Sequence, residues 1–128
     1  MFRTLRTALA VTPVALLASC GSGTSAPAET LPAKVDVQVT AVASLKFDKS
    51  DYGKVKAGDL VFGYSNKDSV RHTLIIAKDN VKVPNFKLVI AQNGANDSGT
   101  VSLEAGTYTL LCDVPGHSNM KATLVVEP

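Results

Sequence analysis

The sequence lacks tryptophan and has no block of like charges. Its 13 lysines and arginines stand against 11 aspartates and glutamates, and Arg3 and Arg6 fall within the first 19 residues. Residues 20–128 therefore carry 11 basic and 11 acidic side chains, a net charge of zero. That balance argues against binding of nucleic acid through neutralised phosphates. Because 45% of the residues are hydrophobic, the composition also excludes a disordered chain.

The sequence also lacks an apolar run long enough for a transmembrane helix. Residues 1–19 combine two arginines with a stretch of eleven mainly apolar residues, Ala8–Ala18. Eleven residues are too few to cross a bilayer, but they suit an export signal. The end of this stretch, Leu17-Ala18-Ser19-Cys20, resembles the bacterial lipobox. The resemblance implies that Cys20 becomes the first mature residue and carries a lipid. The alternative is an ordinary secretory signal with an incidental cysteine.

Three segments are predicted along the chain. Residues 1–19 are a lipoprotein signal peptide, and residues 20–33 are the lipidated cysteine with a small, polar, proline-containing linker. Residues 34–128 form one domain. We expect the domain to be exported and held by the lipid, at the outer face of the cytoplasmic membrane or elsewhere in the periplasm or cell envelope.

Residues 34–128 show an alternation of period two, broken by turn residues, and no convincing helical stretch. Runs such as Val35–Val39 and Thr107–Cys112 alternate apolar and polar side chains, and pairs such as Asn93-Gly94 and Pro115-Gly116 separate the runs. Short strands at this spacing are typical of two packed antiparallel sheets. The sequence therefore predicts an all-β fold, a Greek-key β-sandwich of seven or eight strands.

Alternation also predicts which residues face the core. Cys112 falls on the same side of its strand as Tyr108 and Leu110. His72 shares a side with apolar neighbours, which are Val70, Leu74 and Ile76. If Cys20 is lipidated, Cys112 is the only thiol left and no internal disulfide can form. A lone thiol outside the cytoplasm is open to oxidation unless something shields or occupies it.

The side chains best suited to bind a metal are concentrated in one short segment. Cys112, His117 and Met120 fall within nine residues, and His72 is the other histidine. Each has an ordinary explanation alone, since a single cysteine, histidine or methionine on an apolar strand is usually part of the core. Together they supply a thiolate, two imidazoles and a thioether, which is the ligand set of blue-copper sites.

The segments around these residues resemble the cupredoxins, the family of azurin, plastocyanin and amicyanin. Ala57-Gly58-Asp59, an apolar strand, Asn66 and His72 are similar to the first-histidine region of that family. Gly106-Thr107-Tyr108 leading to Cys112, followed by Pro-Gly-His, is similar to its ligand loop. Thr73 stands where many members have an asparagine that ties the two ligand loops together.

The resemblance implies one copper ion that cycles between Cu(I) and Cu(II). His72, Cys112 and His117 would be its equatorial ligands and Met120 its axial ligand. Four residues separate Cys112 from His117, and two separate His117 from Met120. The expected function is therefore transfer of single electrons between redox partner proteins by a lipid-anchored monomer.

Two alternatives to electron transfer stay open at this point. One is sequestration or delivery of copper, and the other is a metal-free β-sandwich lipoprotein that binds a partner through its loops. An enzyme is not expected, because the sequence has no Gly-x-Ser-x-Gly turn, no Cys-x-x-Cys pair and no glycine-rich phosphate loop.

Overall fold

The computed structural model describes residues 30–128, which form ten β-strands. The strands are β1 (Val37–Val42), β2 (Lys46–Phe47), β3 (Asp51–Lys56), β4 (Gly58–Asn66), β5 (His72–Lys78), β6 (Val81–Lys82), β7 (Leu88–Ile90), β8 (Asn96–Leu103), β9 (Gly106–Leu111) and β10 (Lys121–Glu127). No helix among these residues has the length and apolarity needed to cross a membrane. The predicted signal segment and the predicted lipidation site, Cys20, lie outside the described residues.

The strands form two sheets. One sheet has the order β2-β1-β4-β8, and the other has the order β3-β10-β9-β5-β6, with β7 paired to β5. Most neighbours are antiparallel, but β1 pairs with β4 and β10 pairs with β3 in parallel. The all-β sandwich predicted from the sequence is confirmed.

The strand count differs from the predicted seven or eight. Seven strands have six or more residues, and the other three, β2, β6 and β7, have two or three. Segments this short hold too few residues to show an alternation of period two. The apolar runs at Leu45–Phe47 and Phe86–Ala91 in the sequence overlap β2 and β7, whereas no run covers β6, which is recognised through its pairing with β5.

The core lies between the two sheets, as the alternation predicts. In β1 the residues Val37, Val39 and Ala41 are buried, and in β9 Tyr108 and Leu110 are buried together with the following Cys112. His72, Leu74 and Ile76 of β5 are likewise fully buried. The prediction for Val70 is wrong, because Val70 precedes the strand in an irregular loop and is 40% exposed.

The strand directions bring the predicted ligands to one end of the sandwich. In the antiparallel ladders, Leu111 at the end of β9 pairs with Ile75 of β5 and with Lys121 at the start of β10. His72, Cys112 and Met120 flank these paired positions and therefore lie at the same end.

Candidate metal centre

His72 is the first residue of β5 and is completely buried. Its imidazole Nε2 lies 2.9 Å from the carboxylate oxygen Oδ2 of Asp68. Since a carboxylate only accepts hydrogen bonds, Nε2 carries the proton and donates it. The lone pair of His72 is thereby placed on Nδ1. Among the described residues, this Nδ1 is the only buried side-chain nitrogen or oxygen without a hydrogen-bond partner.

The loop before His72 is shaped by side chains that bond to the backbone. The Asn66 side chain donates to the carbonyl of Val70 at 2.8 Å and accepts from the backbone N–H of Asp68 at 2.8 Å. The Asp68 carboxylate in turn accepts from the backbone N–H of Ser69 at 2.7 Å. The pKa of Asp68 lies below its usual range, mainly because of this bond from Ser69 and next because of the bond from His72. An ionised Asp68 therefore faces His72.

The loop from Cys112 to Met120, which carries the other three predicted ligands, begins with a tight turn. The backbone N–H of His117 donates to the carbonyl of Val114 at 3.0 Å, with Pro115 and Gly116 between them. Gly116 has a φ of 87°, and such a turn favours proline followed by glycine. The Pro-Gly pair found in the sequence is therefore what reverses the chain between Cys112 and His117.

A second turn closes this loop. The backbone N–H of Met120 donates to the carbonyl of His117 at 2.9 Å, and the N–H of Cys112 donates to the carbonyl of Met120 at 3.3 Å. Met120 is 1% exposed and packs in the hydrophobic core. The short spacing from His117 to Met120 is thus one hydrogen-bonded turn that ends with a buried thioether residue.

The structure brings three of the predicted ligands into contact range. Each of these residues offers one ligand atom, and the three atoms lie within 4.8 Å of one another; the residues are His72, Cys112 and His117. The Cys112 sulfur is 3.6 Å from Nδ1 of His117, and the two imidazole ring centres are 5.0 Å apart. His72 and Cys112 are buried, whereas His117 is partly exposed.

These residues fit a copper ion. A buried Nδ1 left unpaired costs free energy unless something accepts its lone pair, and here it borders a thiol and a second imidazole. One soft sulfur and two imidazoles, with a buried thioether residue beside them, form a donor set for copper. The alternative explanation, that His72 is an ordinary core histidine, leaves this unpaired atom without a purpose.

Cys112 is held from β5 by Thr73. The Thr73 backbone N–H donates to the Cys112 sulfur at 3.4 Å, and the Thr73 carbonyl accepts from the hydroxyl of Tyr64 at 3.2 Å. Burial raises the pKa of Tyr64 above its usual value, so its hydroxyl stays a donor. Tyr64 lies on β4, so the contact braces the Thr73 backbone from the opposite sheet.

Two supporting residues were not identified from the sequence. Asp68, which orients His72, belongs to a segment that the sequence marks only as a turn. The signal available was its position, four residues before the histidine in the same loop. Lys87, which lies 2.9 Å from Oδ2 of Asp113, had no signal because the two residues are 26 positions apart. The Thr73 hydroxyl and Lys87 both hold the pKa of Asp113 below its usual range.

Comparison with known proteins agrees with this site. Residues 33–127 match the family of copper-binding proteins that includes plastocyanin and azurin. No curated protein matches the chain. The chain therefore belongs to the plastocyanin/azurin family of copper-binding proteins, and His72, Cys112, His117 and Met120 form its mononuclear copper site. The family consists of electron carriers and not of enzymes, as expected from the sequence.

Solved structures of the same fold share few residues with this chain. Auracyanin from Roseiflexus castenholzii is 16% identical, with a TM-score of 0.60 over 72% of this chain and 96% of that one. Auracyanin A from Chloroflexus aurantiacus is 21% identical, with a TM-score of 0.58 over 71% and 97%. Amicyanin from Paracoccus versutus is 21% identical, with a TM-score of 0.54 over 76% and 85%. At this level of identity the likeness establishes the fold.

Proposed function

We propose that this protein is a lipid-anchored, monomeric electron carrier that works outside the cytoplasm between redox partner proteins. The observation that carries the proposal is the buried, unpaired Nδ1 of His72 beside the Cys112 sulfur and the His117 imidazole. Bound copper supplies the one-electron couple between Cu(I) and Cu(II). The solved relative from Chloroflexus aurantiacus is described as a blue copper protein, which supports the same chemistry for this chain.

The protein residues prepare the site before any electron moves. Asp68 fixes the tautomer and the orientation of His72, and the backbone N–H of Thr73 holds the Cys112 sulfur. Because strands and hydrogen-bonded turns hold all four ligand residues, little rearrangement is needed when the charge changes. His117 is the ligand that is partly exposed, so it offers the shortest path between the site and a partner at the surface.

The first test is the visible spectrum of the purified protein with one equivalent of Cu(II). We expect an intense blue band, because the Cys112 thiolate donates charge to Cu(II), and we expect ascorbate to bleach it. The matched control is Cys112→Ser, which keeps the size of the side chain and removes the thiolate, and therefore the band. An unchanged spectrum in this variant would show that Cys112 is not a ligand.

A second test separates electron transfer from copper delivery. An electron carrier retains its metal in both oxidation states and exchanges electrons between its own oxidised and reduced copies. We therefore expect line broadening in NMR spectra of mixed Cu(I) and Cu(II) samples and no loss of copper to a chelator of moderate affinity. Rapid release of Cu(I) to the chelator without electron exchange would favour the delivery function.

The direction of the chain supports a tether at the far side of the domain. β1 runs parallel to β4, and β4 ends at Asn66, next to the copper site. The chain thus enters β1 from the end opposite the site. An anchor on Cys20 would therefore join the domain at the end away from the copper site, which leaves that site free for a partner.

The two cysteines offer a matched test of this anchor. In cells that export the protein, we expect radioactive palmitate to label it and Cys20→Ser to abolish the label and release the protein into the soluble fraction. Cys112→Ser should retain both the label and the membrane fraction. Labelling that survives in Cys20→Ser would contradict the proposed anchor.

A further inference from the structure

The hydroxyl group of Thr73 carries one proton but has two neighbours that could accept it, the Cys112 sulfur and the Asp113 carboxylate. Its oxygen lies 3.5 Å from the Cys112 sulfur and 2.5 Å from Oδ1 of Asp113. The backbone N–H of Asp113 also donates to this oxygen, at 2.9 Å. Since a hydroxyl carries one proton, either the sulfur or the carboxylate receives it.

The surroundings of Asp113 decide where the proton goes. The Lys87 ammonium lies 2.9 Å from Oδ2 of Asp113, and the Lys82 ammonium lies 3.8 Å from the same oxygen. A carboxylate paired with cations only accepts hydrogen bonds, and 2.5 Å is the length of a charge-assisted O–H···O⁻ bond. The Thr73 hydroxyl therefore donates to Asp113 and turns a lone pair toward the sulfur.

The Cys112 sulfur is consequently left with one donor from β5, the backbone N–H of Thr73 at 3.4 Å. Besides the Thr73 hydroxyl, the other polar atom close to this sulfur in the described part of the chain is Nδ1 of His117, which is itself a residue of the copper site. We propose that Asp113 is a positioning residue that keeps the Thr73 proton away from Cys112 and thereby lowers the reduction potential of the copper site.

The sign follows from the demands of the two oxidation states. A hydrogen bond to the sulfur withdraws electron density from the thiolate, and Cu(II) depends on that density more than Cu(I) does. Keeping the proton on Asp113 therefore favours Cu(II). The inference deepens the proposed function, since it concerns the same copper site and rests on copper being bound there.

A double-mutant cycle separates this effect from simple charge removal. Asp113→Ala removes a negative charge and also frees the Thr73 proton to bond to the sulfur, so the potential should rise for both reasons. In the background of Thr73→Val there is no proton to free, and Asp113→Ala should act through charge alone. We expect Asp113→Ala to raise the equilibrium constant for reduction about fivefold more in the parent protein than in Thr73→Val. This difference is the effect of one ordinary hydrogen bond.

The blue band, which arises from charge transfer, gives a second readout. Its position would not change if Asp113 had a purely structural role. It should shift in Asp113→Ala only where Thr73 is present. Asp113→Asn keeps an acceptor oxygen for the hydroxyl, so it should raise the potential by its charge and leave the band in place. Glu104→Ala removes an exposed carboxylate at the other end of the sandwich and should leave both the potential and the band unchanged.

The possible outcomes are distinguishable. Equal potential shifts in the two backgrounds, with the blue band intact, would overturn the role of Asp113 and leave the proposed function standing. A band shift in Thr73→Val alone, of the kind expected when a sulfur hydrogen bond is lost, would show that the hydroxyl donates to Cys112 and would also overturn it. Absence of a blue band in the parent protein would overturn both proposals.

Discussion

The two ends of the sandwich differ in the burial of their polar side chains. At the copper end, polar side chains are buried and bonded to the backbone or to one another. The three buried polar residues of the described chain, Asn66, His72 and Thr73, all lie there. Burying polar groups costs free energy unless each finds a partner, and here only Nδ1 of His72 lacks one.

The opposite end follows the ordinary rules of a surface. The β5–β6 hairpin there places Asp79 and Asn80 at φ of 50° and 63°, as a two-residue turn of this type requires. The hydrogen bond there from the Lys78 ammonium to the carbonyl of Ala105, at 3.4 Å, is exposed. Val81 next to the turn is 69% exposed. The polar side chains whose burial costs free energy thus lie at the end of the fold that carries the copper ligands.

The largest effect is expected at the copper end, from Asp68→Ala. The substitution leaves Nε2 of His72 without its acceptor and no longer fixes the tautomer that presents Nδ1. Loss of such a supporting bond typically lowers metal affinity about 10-fold to 100-fold. Competition with a chelator of known copper affinity measures the change.

The matched control for this prediction is Asp68→Asn, which keeps an oxygen that can accept from Nε2. It should retain most of the affinity that Asp68→Ala loses. Equal losses in the two variants would mean that the charge of Asp68, and not its hydrogen bond, supports His72.

Most of the fold was predictable from the sequence because the long strands expose one face and bury the other. The alternation placed Tyr108, Leu110 and Cys112 in the core, and the structure confirms this. It could not show β6, which has only two residues, although the short apolar run at Leu45–Phe47 overlaps β2. It also failed for Val70, since alternation holds only where the backbone is extended.

The ligands were predictable for a different reason, their chemical rarity. Two histidines and one cysteine in residues 21–128 left few combinations, and three of the four ligand residues lie within nine positions. Lys87 and Asp113 are common residue types, far apart in the sequence, and they meet only because β7 pairs with the start of β5. Contacts of this kind depend on the tertiary structure, so no local pattern reveals them.

A smaller change is expected from Met120→Leu. Leucine has a similar volume and should fill the buried position of Met120, so the blue band should persist. It lacks the weak thioether donor that helps to stabilise Cu(II), so the reduction potential should rise. Cyclic voltammetry of the parent and the variant measures the shift. Complete loss of copper binding would show that Met120 contributes more than a weak axial bond.

Backbone strain can be compared at two glycines, one in the ligand loop and one in β3. Gly116 in the ligand loop and Gly53 in β3 have φ of 87° and 77°, and a methyl group added at either position would meet no other atom within 4 Å. Substitution by alanine should cost about 1–2 kcal/mol of unfolding free energy at each position, from the left-handed backbone alone. Chemical denaturation of the metal-free variants measures this cost.

The copper spectrum should separate the two glycine variants. Gly116→Ala strains the turn that positions His117, so the blue band should shift, whereas Gly53→Ala should leave it unchanged. A band shift of equal size in both variants would contradict the view that strain in the ligand loop is transmitted to the site locally.

The smallest effect is expected at the opposite end, from Val81→Thr. Threonine keeps the β-branched shape of valine, and the side chain is already mostly exposed, so little apolar burial is lost. The unfolding free energy should stay within about 0.5 kcal/mol of the parent, as for most surface substitutions, and copper affinity and potential should not change. Thermal unfolding with and without copper measures the stability and the copper affinity, and cyclic voltammetry measures the potential. A loss of stability well beyond that range would mean that Val81 is covered in solution, and that this end of the sandwich is not the simple surface that its exposed contacts indicate.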